Sequence, residues 1–337
     1  MALPLPPITL FRDRFGEVRH LMAPMAGISD TVFRSLIREM GAQVVISELL
    51  SAEGLVRGGK KTLELMEYSE AERPVGIQIF GHDIKTMSEA ARIVQGAGAD
   101  FVDINFGCPV KKVVCDGGGA AWLKDPVQLG KLLSSMKAVL RIPLTIKVRT
   151  GWDEESRNVL EVARVAAESG VSWVAIHGRT RAQGYSGLAD WELIRKVAWA
   201  SSIPIIGNGD LVTAAQAREK LEKGYAHAVM IGRGALKNPW IFRELLGEEP
   251  DFNLLKLIDR HFEIAIEKKG AARAYLTLKK FLAWYAAGYP YSSPFRAKIF
   301  ATHDIDELKN LAVDFFSGIS AESRVDDGKP FLMGGHG

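Results

Sequence analysis

Short apolar runs return along the first two thirds of the chain, at 20–25 (HLMAPM), 44–48 (VVISE), 75–80 (VGIQIF), 101–106 (FVDINF), 144–149 (LTIKVR), 173–178 (WVAIHG), 204–208 (PIIGN) and 228–232 (AVMIG). Their starts lie 24, 31, 26, 43, 29, 31 and 24 residues apart. The intervals hold amphipathic segments of mixed charge, among them 30–40, 84–96, 126–139, 154–169 and 213–223. A strand followed by a helix and then another strand is a βαβ unit, and a chain of such units makes a parallel sheet. Eight units within residues 20–246 have the count and length of a (β/α)8 TIM barrel. A doubly wound α/β sheet would show a GxGxxG loop after its first strand. Here the first run ends in Ala23-Pro24-Met25 with no such loop, so the pattern predicts the barrel.

The pattern changes after Leu246. Residues 252–287 read as amphipathic helices, the segment 288–294 (GYPYSSP) breaks them, and 304–316 is helical again. The expected organisation is a barrel over 1–246, a small C-terminal helical domain over 247–320, and a polar, glycine-rich tail over 321–337 that frays.

A chain that is 47% hydrophobic and 25% charged is neither disordered nor fibrous. It has no run of eighteen apolar residues to span a bilayer, and its start has three prolines and no basic region, unlike a signal peptide. Two cysteines, Cys108 and Cys115, exclude a disulfide scaffold and lack the partner pair of a zinc site. The expectation is a cytoplasmic protein without metal, without membrane contact and without an obligatory protein partner. Net charge is only +3, yet residues 256–298 hold nine bases against three acids, and 299–337 hold three bases against seven acids. That asymmetry suits a polyanion binder; a solvated helix face is the plainer reading.

Polar residues recur where the barrel strands should end, the face at which barrels carry function. The third run has Gln78. The fourth has Asp103 and Asn105, then Gly107-Cys108-Pro109. The fifth has Lys147 and Arg149, and the sixth ends in His177-Gly178-Arg179. Alternation puts Lys147 and Arg149 on one side of their strand and Ile146 and Val148 on the other. The apolar side belongs to the helices, so both bases point into the barrel mouth. Lys147 alone could be an ion-pair partner of Asp103, but charges on several strands at once are poorly explained by structure. The seventh and eighth runs end in Gly207-Asn208-Gly209-Asp210 and Gly232-Arg233-Gly234, the loops from which barrels commonly build a phosphate site. Together with inward Lys147 and His177, this outline suits a flavin mononucleotide. Cys108 follows a strand directly, at the start of the longest interval, which can serve as a lid. A thiol of ordinary pKa about 8.5 is protonated at neutral pH and can act as a general acid. Cys115 has no comparable placement.

At this point the chain resembles a tRNA-dihydrouridine synthase. The segments that carry the resemblance are APMAGISD (23–30), GIQIFG (76–81), DINFGCP (103–109), IKVRTGW (146–152), HGRT (177–180), GLADW (187–191), IGNGD (206–210) and GRGALKNPWIF (232–242). The resemblance implies reduction of the C5–C6 double bond of chosen uridines in tRNA by bound FMN, which NADPH recharges. By the same resemblance Cys108 is the proton donor to C5. Pro24, Met25, Ala26, Gln78, Lys147, His177, Asn208, Gly209, Asp210, Gly232 and Arg233 fall on flavin-binding positions, and Asn105 and Arg149 on positions facing the uracil. Arg179 is a further candidate on the substrate side. The helical domain then resembles the family's tRNA-binding domain, with Lys279 and Lys280 as phosphate contacts in a segment that mixes bases with Phe281, Trp284 and Tyr285. Two departures, Phe281 where members commonly have His and the 288–294 segment, leave the target uridine open. The competing readings are an FMN barrel for a small molecule, which has no use for a basic helical appendage, and a tRNA-binding protein without catalysis, which has no use for Cys108, Lys147, Arg149 and His177.

Overall fold

A computed structural model describes residues 3–319; the segment expected to fray, 321–337, lies outside the described residues. The eight strands are β1 His20–Met22, β2 Val45–Ser51, β3 Val75–Phe80, β4 Phe101–Phe106, β5 Leu144–Arg149, β6 Val174–His177, β7 Ile205–Asn208 and β8 Ala228–Ile231. All pair in parallel in the order β1-β8-β7-β6-β5-β4-β3-β2, and a bridge from Leu21 to Val44 brings the two end strands together. The result is the (β/α)8 barrel that the hydrophobic pattern predicts.

Two-residue periodicity sorts the side chains. Ile77, Ile79, Val102, Ile104, Ile146, Val148, Val174 and Ile176 face outward into the apolar layer beneath the helices. Leu21, Ile46, Phe101, Trp173, Ile206 and Met230 face inward and fill the floor of the barrel. The amino-terminal segment closes that floor from below. Ile8 and Val18 form an antiparallel bridge, and Phe11 packs 5.6 Å from Phe101 and 5.7 Å from Trp173, ring centre to ring centre. This plug had no strand or helix period to reveal it.

Helix starts follow capping chemistry. Asp30, Asp83 and Asp125 each accept a backbone N–H in the first turn of the helices Thr31–Glu39, Ile84–Gly96 and Pro126–Val139. The segment expected to be helical from 154 starts only at Val159, because Asp153 and Ser156 close a tight hydrogen-bonded turn first.

After the barrel come four longer helices: α1 Leu254–Lys269, α2 Ala271–Tyr285, α3 Ser292–Ala301 and α4 Ile305–Ser317. The helices expected over 252–287 are two, parted at Gly270, whose φ of +70° a side chain would resist. Helix α3 lies partly inside the segment expected to be a break.

The helical region is bolted to the barrel through the helix Thr31–Glu39. Phe33 stacks on Phe281 with ring centres 4.9 Å apart, and buried His261 packs edge-on against Phe281 at 4.6 Å. Arg260 grips Glu39 through two nitrogens, at 2.7 and 2.9 Å, and Lys269 pairs with Asp30. Beneath them lies a fully buried pair, Arg34 and Glu72, at 2.7 Å. Lys268 reaches the same carboxylate at 3.5 Å and Ser69 Oγ at 2.9 Å.

Candidate active site

The carboxyl ends of β1, β5, β6, β7 and β8 surround a cavity of about 450 Å³. Pro24, Met25, Lys147, His177, Arg179, Asn208, Gly209, Asp210, Gly232 and Arg233 all line it. Strand register explains the grouping, because Asn105 pairs with Lys147, Arg149 with His177, and His177 with Asn208. Residues far apart in sequence therefore sit side by side on the inner wall. The volume lies in the range of small-molecule and cofactor sites. Ala26 is exposed and Gln78 is buried, and neither lines the cavity.

The charge balance of this mouth is unusual. Lys147 is half-buried and makes no hydrogen bond or ion pair among the described residues. Burial, with Arg149 beside it, lowers its pKa to about 8, so it remains mostly cationic at neutral pH. The expected alternative, an ion pair with Asp103, does not form: the Asp103 oxygens are taken by Thr145 and Gln78. Arg149 is buried and donates to the carbonyls of Gly107, Thr180 and Gly184, partners without charge. The Arg233 guanidinium lies 4.6 Å from the centre of the Tyr185 ring and has no acidic partner among the described residues. Two cations without a paired carboxylate in the cavity wall, with Arg149 buried beside one of them, suit an anionic ligand.

His177 is the neutral member. Burial, and the positive charges of Arg149, Lys147, Arg179 and Arg233, hold its pKa well below the ordinary 6.5. Arg179 Nη1 lies 3.3 Å from His177 Nε2, and a guanidinium can only donate. Nε2 is therefore the acceptor, and the ring proton sits on Nδ1.

Several residues expected to meet a ligand are engaged by the protein itself. Arg179 clamps Asp210 with one nitrogen on both carboxylate oxygens, at 2.8 and 2.9 Å, and Asp210 also accepts the Ala189 amide. Arg179, expected on the substrate side, lines the cavity and also shapes the loop wall: Asp210, His177 and two carbonyls take four of its five N–H groups, which leaves one Nη1 hydrogen for a ligand. Asn208 donates to the Met230 carbonyl at 2.8 Å. Gly209, at φ +131°, is a glycine because a side chain would press within 2.5 Å of Ala189, so its smallness serves loop packing. Asn105 turns its oxygen to the amides of Gly107 and Cys108, which leaves one Nδ2 hydrogen for a ligand.

Cys108 sits on that turn, next to Lys147 and Arg149. Burial raises its thiol pKa above the ordinary value, against the smaller opposing pull of the Val110 amide and the two cations. The thiol is therefore held in its proton-carrying form. Cys115 is exposed. Tyr185 escaped the sequence reading, although it lines the cavity and touches the charges of both Arg149 and Arg233. The available signal was an aromatic residue in the loop that follows HGRT.

The basic segment is corrected in part. Lys279, expected to contact phosphate, is buried and donates to the carbonyls of Phe300 and Thr302, capping the end of α3. The negative end of a helix and a pair of carbonyls hold it there. Phe281 and Tyr285 are core residues, because 274, 278, 281, 282 and 285 share the inward face of α2. Lys280 is exposed, and its Nζ lies 3.4 Å from the Gly27 carbonyl in the loop after β1, at the edge of the mouth. Arg273, Arg296 and Lys298 are likewise exposed and carry no acidic partner among the described residues.

Fold and mouth together define a (β/α)8 barrel with a cationic cavity at the carboxyl ends of its strands. The chain belongs to the dihydrouridine synthase family: the family described as Dihydrouridine synthase (Dus) matches residues 21–320. It is 37% identical over 311 residues to tRNA-dihydrouridine synthase B of Pectobacterium carotovorum, covering 90% of this chain and 97% of that protein. It is 34% identical over 309 residues to a probable tRNA-dihydrouridine synthase of Rickettsia bellii, covering 89% and 95%. Among solved structures it resembles an old yellow enzyme homologue from Zymomonas mobilis, with a TM-score of 0.50 at 14% identity over 74% of this chain and 94% of that one. A histamine dehydrogenase from Rhizobium sp. 4-9 gives a TM-score of 0.53 at 12% identity, covering 79% and 49%. At these identities the structural likeness speaks for the barrel fold. Family membership makes the chain an oxidoreductase enzyme. No helix among the described residues is long and apolar enough to cross a membrane, and no group of three metal-binding side chains occurs among them.

Proposed function

We propose that this enzyme reduces uridine in tRNA to dihydrouridine, with FMN held in the barrel mouth, NADPH as reductant and Cys108 as proton donor. The observation that carries the reading is a cofactor-sized cavity lined by Lys147 and Arg233, neither paired with a carboxylate, with buried Arg149 and the protonated Cys108 thiol next to Lys147. Pro24, Met25, His177, Asn208, Gly209 and Gly232 would form the walls of the flavin site, and Gln78 and Ala26 would approach it from outside the present cavity. Arg233 would hold the phosphate. Bound there, the flavin supplies the hydride. The chain's own part is to place the pyrimidine, keep water out and deliver a proton: Asn105 offers one amide hydrogen to the uracil, Lys147 carries a positive charge beside it, and Cys108 holds the proton for C5. A base must leave its stack to reach a barrel mouth, and the exposed bases Arg273, Lys280, Arg296 and Lys298 would hold the RNA while it does.

The decisive assay incubates the purified protein with NADPH and unmodified tRNA and measures dihydrouridine in the product by mass. Conversion of tRNA with a far slower reaction of free uridine nucleotide supports the reading. Equal rates on both would favour the small-molecule barrel, because remote RNA contacts would then contribute nothing.

Two variants refine it. Arg233→Ala should weaken FMN binding by tenfold or more and leave riboflavin, which lacks the phosphate, within about twofold of wild type, since a charge-assisted contact to phosphate is worth roughly 1.5–3 kcal/mol. Equal losses for both flavins would remove Arg233 from the phosphate site. Lys280→Ala should flatten the slope of log tRNA affinity against log salt by about one unit. Lys279→Ala should leave that slope alone and lower the melting temperature instead. A slope that responds to Lys279 rather than Lys280 would contradict the placement of these two side chains.

A further inference from the structure

Just above the barrel floor, the register of β3, β4 and β5 sets Gln78 beside Asp103 and Asp103 beside Thr145. From there one line of hydrogen bonds runs to the Cys108 turn. Thr145 Oγ1 donates to Asp103 Oδ1 at 2.6 Å, and Gln78 Nε2 donates to Asp103 Oδ2 at 2.7 Å. Asn105 Nδ2 donates to Gln78 Oε1 at 2.8 Å. Asn105 Oδ1 then accepts the amides of Gly107 at 3.0 Å and Cys108 at 2.7 Å. Thr145, Asp103 and Gln78 are buried.

The two ends of this line have opposite and fixed chemistry. A carboxylate only accepts, and a backbone N–H only donates. Between them stand two primary amides, each with one donating and one accepting end. Only one arrangement satisfies every group: Gln78 turns its NH₂ to Asp103, so its oxygen faces Asn105, so the Asn105 oxygen faces the turn. Reversing either amide sets donor against donor or acceptor against acceptor where water cannot repair the loss.

We propose that Asp103 is a positioning residue for Cys108, acting through Gln78 and Asn105: its carboxylate sets the direction of two amides and so pins the turn that carries the thiol. The inference rests on the reading of Cys108 as proton donor. A purely structural role for Asp103, joining three strands, would need no particular direction in the two amides. The charge itself also goes unused by any ion pair, since Lys147 makes none with it.

The test reads the thiol. In a Cys115→Ser background, Cys108 is the chain's remaining cysteine, and its rate of alkylation by iodoacetamide is followed across pH in the flavin-bound protein at matched occupancy. Asp103→Leu keeps size and burial but removes the acceptor at the head of the line, so nothing sets the direction of Gln78 and Asn105. The turn should loosen, and alkylation at neutral pH should rise about tenfold, with the profile shifting toward lower pH as the thiol leaves its buried seat. Gln78→Glu combined with Asp103→Asn restores the direction, because the amide introduced on β4 then donates to the carboxylate introduced on β3, whose second oxygen accepts from Asn105. That swap should return alkylation to within about twofold of wild type. Thr145→Val removes one hydrogen bond of the same line without reversing it, and should change the rate by no more than about threefold.

A swap as reactive as Asp103→Leu alone overturns the proposal, and so does a Thr145→Val protein that matches Asp103→Leu. The swap carries the wild-type charge and number of donors, so its failure to fold counts against the proposal equally. The two readings separate cleanly. If Cys108→Ala still makes dihydrouridine, the acid assignment falls while the alkylation result stands. If Cys108→Ala is inactive but alkylation ignores Asp103→Leu, the positioning role alone falls.

Discussion

Cys108→Ala should lose between a hundredfold and ten-thousandfold in dihydrouridine formed during a single turnover, the range a positioned general acid typically contributes. In the proposed reaction, hydride delivery to C6 of the pyrimidine would leave negative charge at C5, and that carbon would need a proton. The thiol is suited to give it: burial raises its pKa above the ordinary value, so it carries the proton through the neutral range. Its turn is anchored by Asn105, and the Cys108 carbonyl accepts the Ala120 amide, so the donor is held from both sides in sequence. The variant should retain its flavin and still be reduced by NADPH, since neither event involves C5. The measurement reduces both proteins anaerobically, adds unmodified tRNA and follows recovery of the oxidised flavin band together with dihydrouridine by mass. Recovery of Cys108→Ala within a few-fold of wild type, with Cys115→Ala impaired, would move the role to Cys115. Normal recovery in both would mean that no thiol is the acid.

The largest stability effect is expected at Glu72. Its carboxylate is fully buried and faces the equally buried Arg34, which also donates to the carbonyls of Ser29 and Glu67. Oε1 accepts the Ser69 amide and hydroxyl and the Thr31 hydroxyl, and Lys268 of α1 lies 3.5 Å away. Glu72→Ala removes the counter-charge and leaves a guanidinium buried without one, a loss of about 3–5 kcal/mol. Replacing both members, Arg34→Met with Glu72→Leu, should recover most of it, because an apolar pair of similar volume removes two desolvated charges at once. Calorimetric melting of the two proteins checks this. A single variant within about 1 kcal/mol of wild type would show that the pair is far better hydrated than its burial indicates. The same deletion should loosen the attachment of the helical region, since Lys268 would lose its acid while Arg260–Glu39 and Lys269–Asp30 remain.

The amino-acid sequence by itself determined the barrel and the composition of its mouth. Eight apolar runs at intervals of a βα unit can close in few other ways, and strict alternation within them already separated Ile146 and Val148 from Lys147 and Arg149. Period two is a local property of extended backbone, so it survives translation into structure without help from distant residues. The clustering of His177, Asn208 and Arg233 on neighbouring loops followed from strand order alone. What only the tertiary structure decided is which polar groups remain available. Lys279 and Lys280 are adjacent and identical in sequence. One is buried against carbonyls at the end of α3, and the other stands at the edge of the mouth, because a helix turns each residue by about 100° and the neighbouring helix covers one side. Arg179 and Asp210 satisfy each other across 31 residues, Arg34 and Glu72 across 38, and Asp103 finds Gln78 and Thr145 on the strands to either side. Hydrogen-bond direction and charge compensation depend on which partners the fold brings within about 3 Å, and no local pattern encodes that distance.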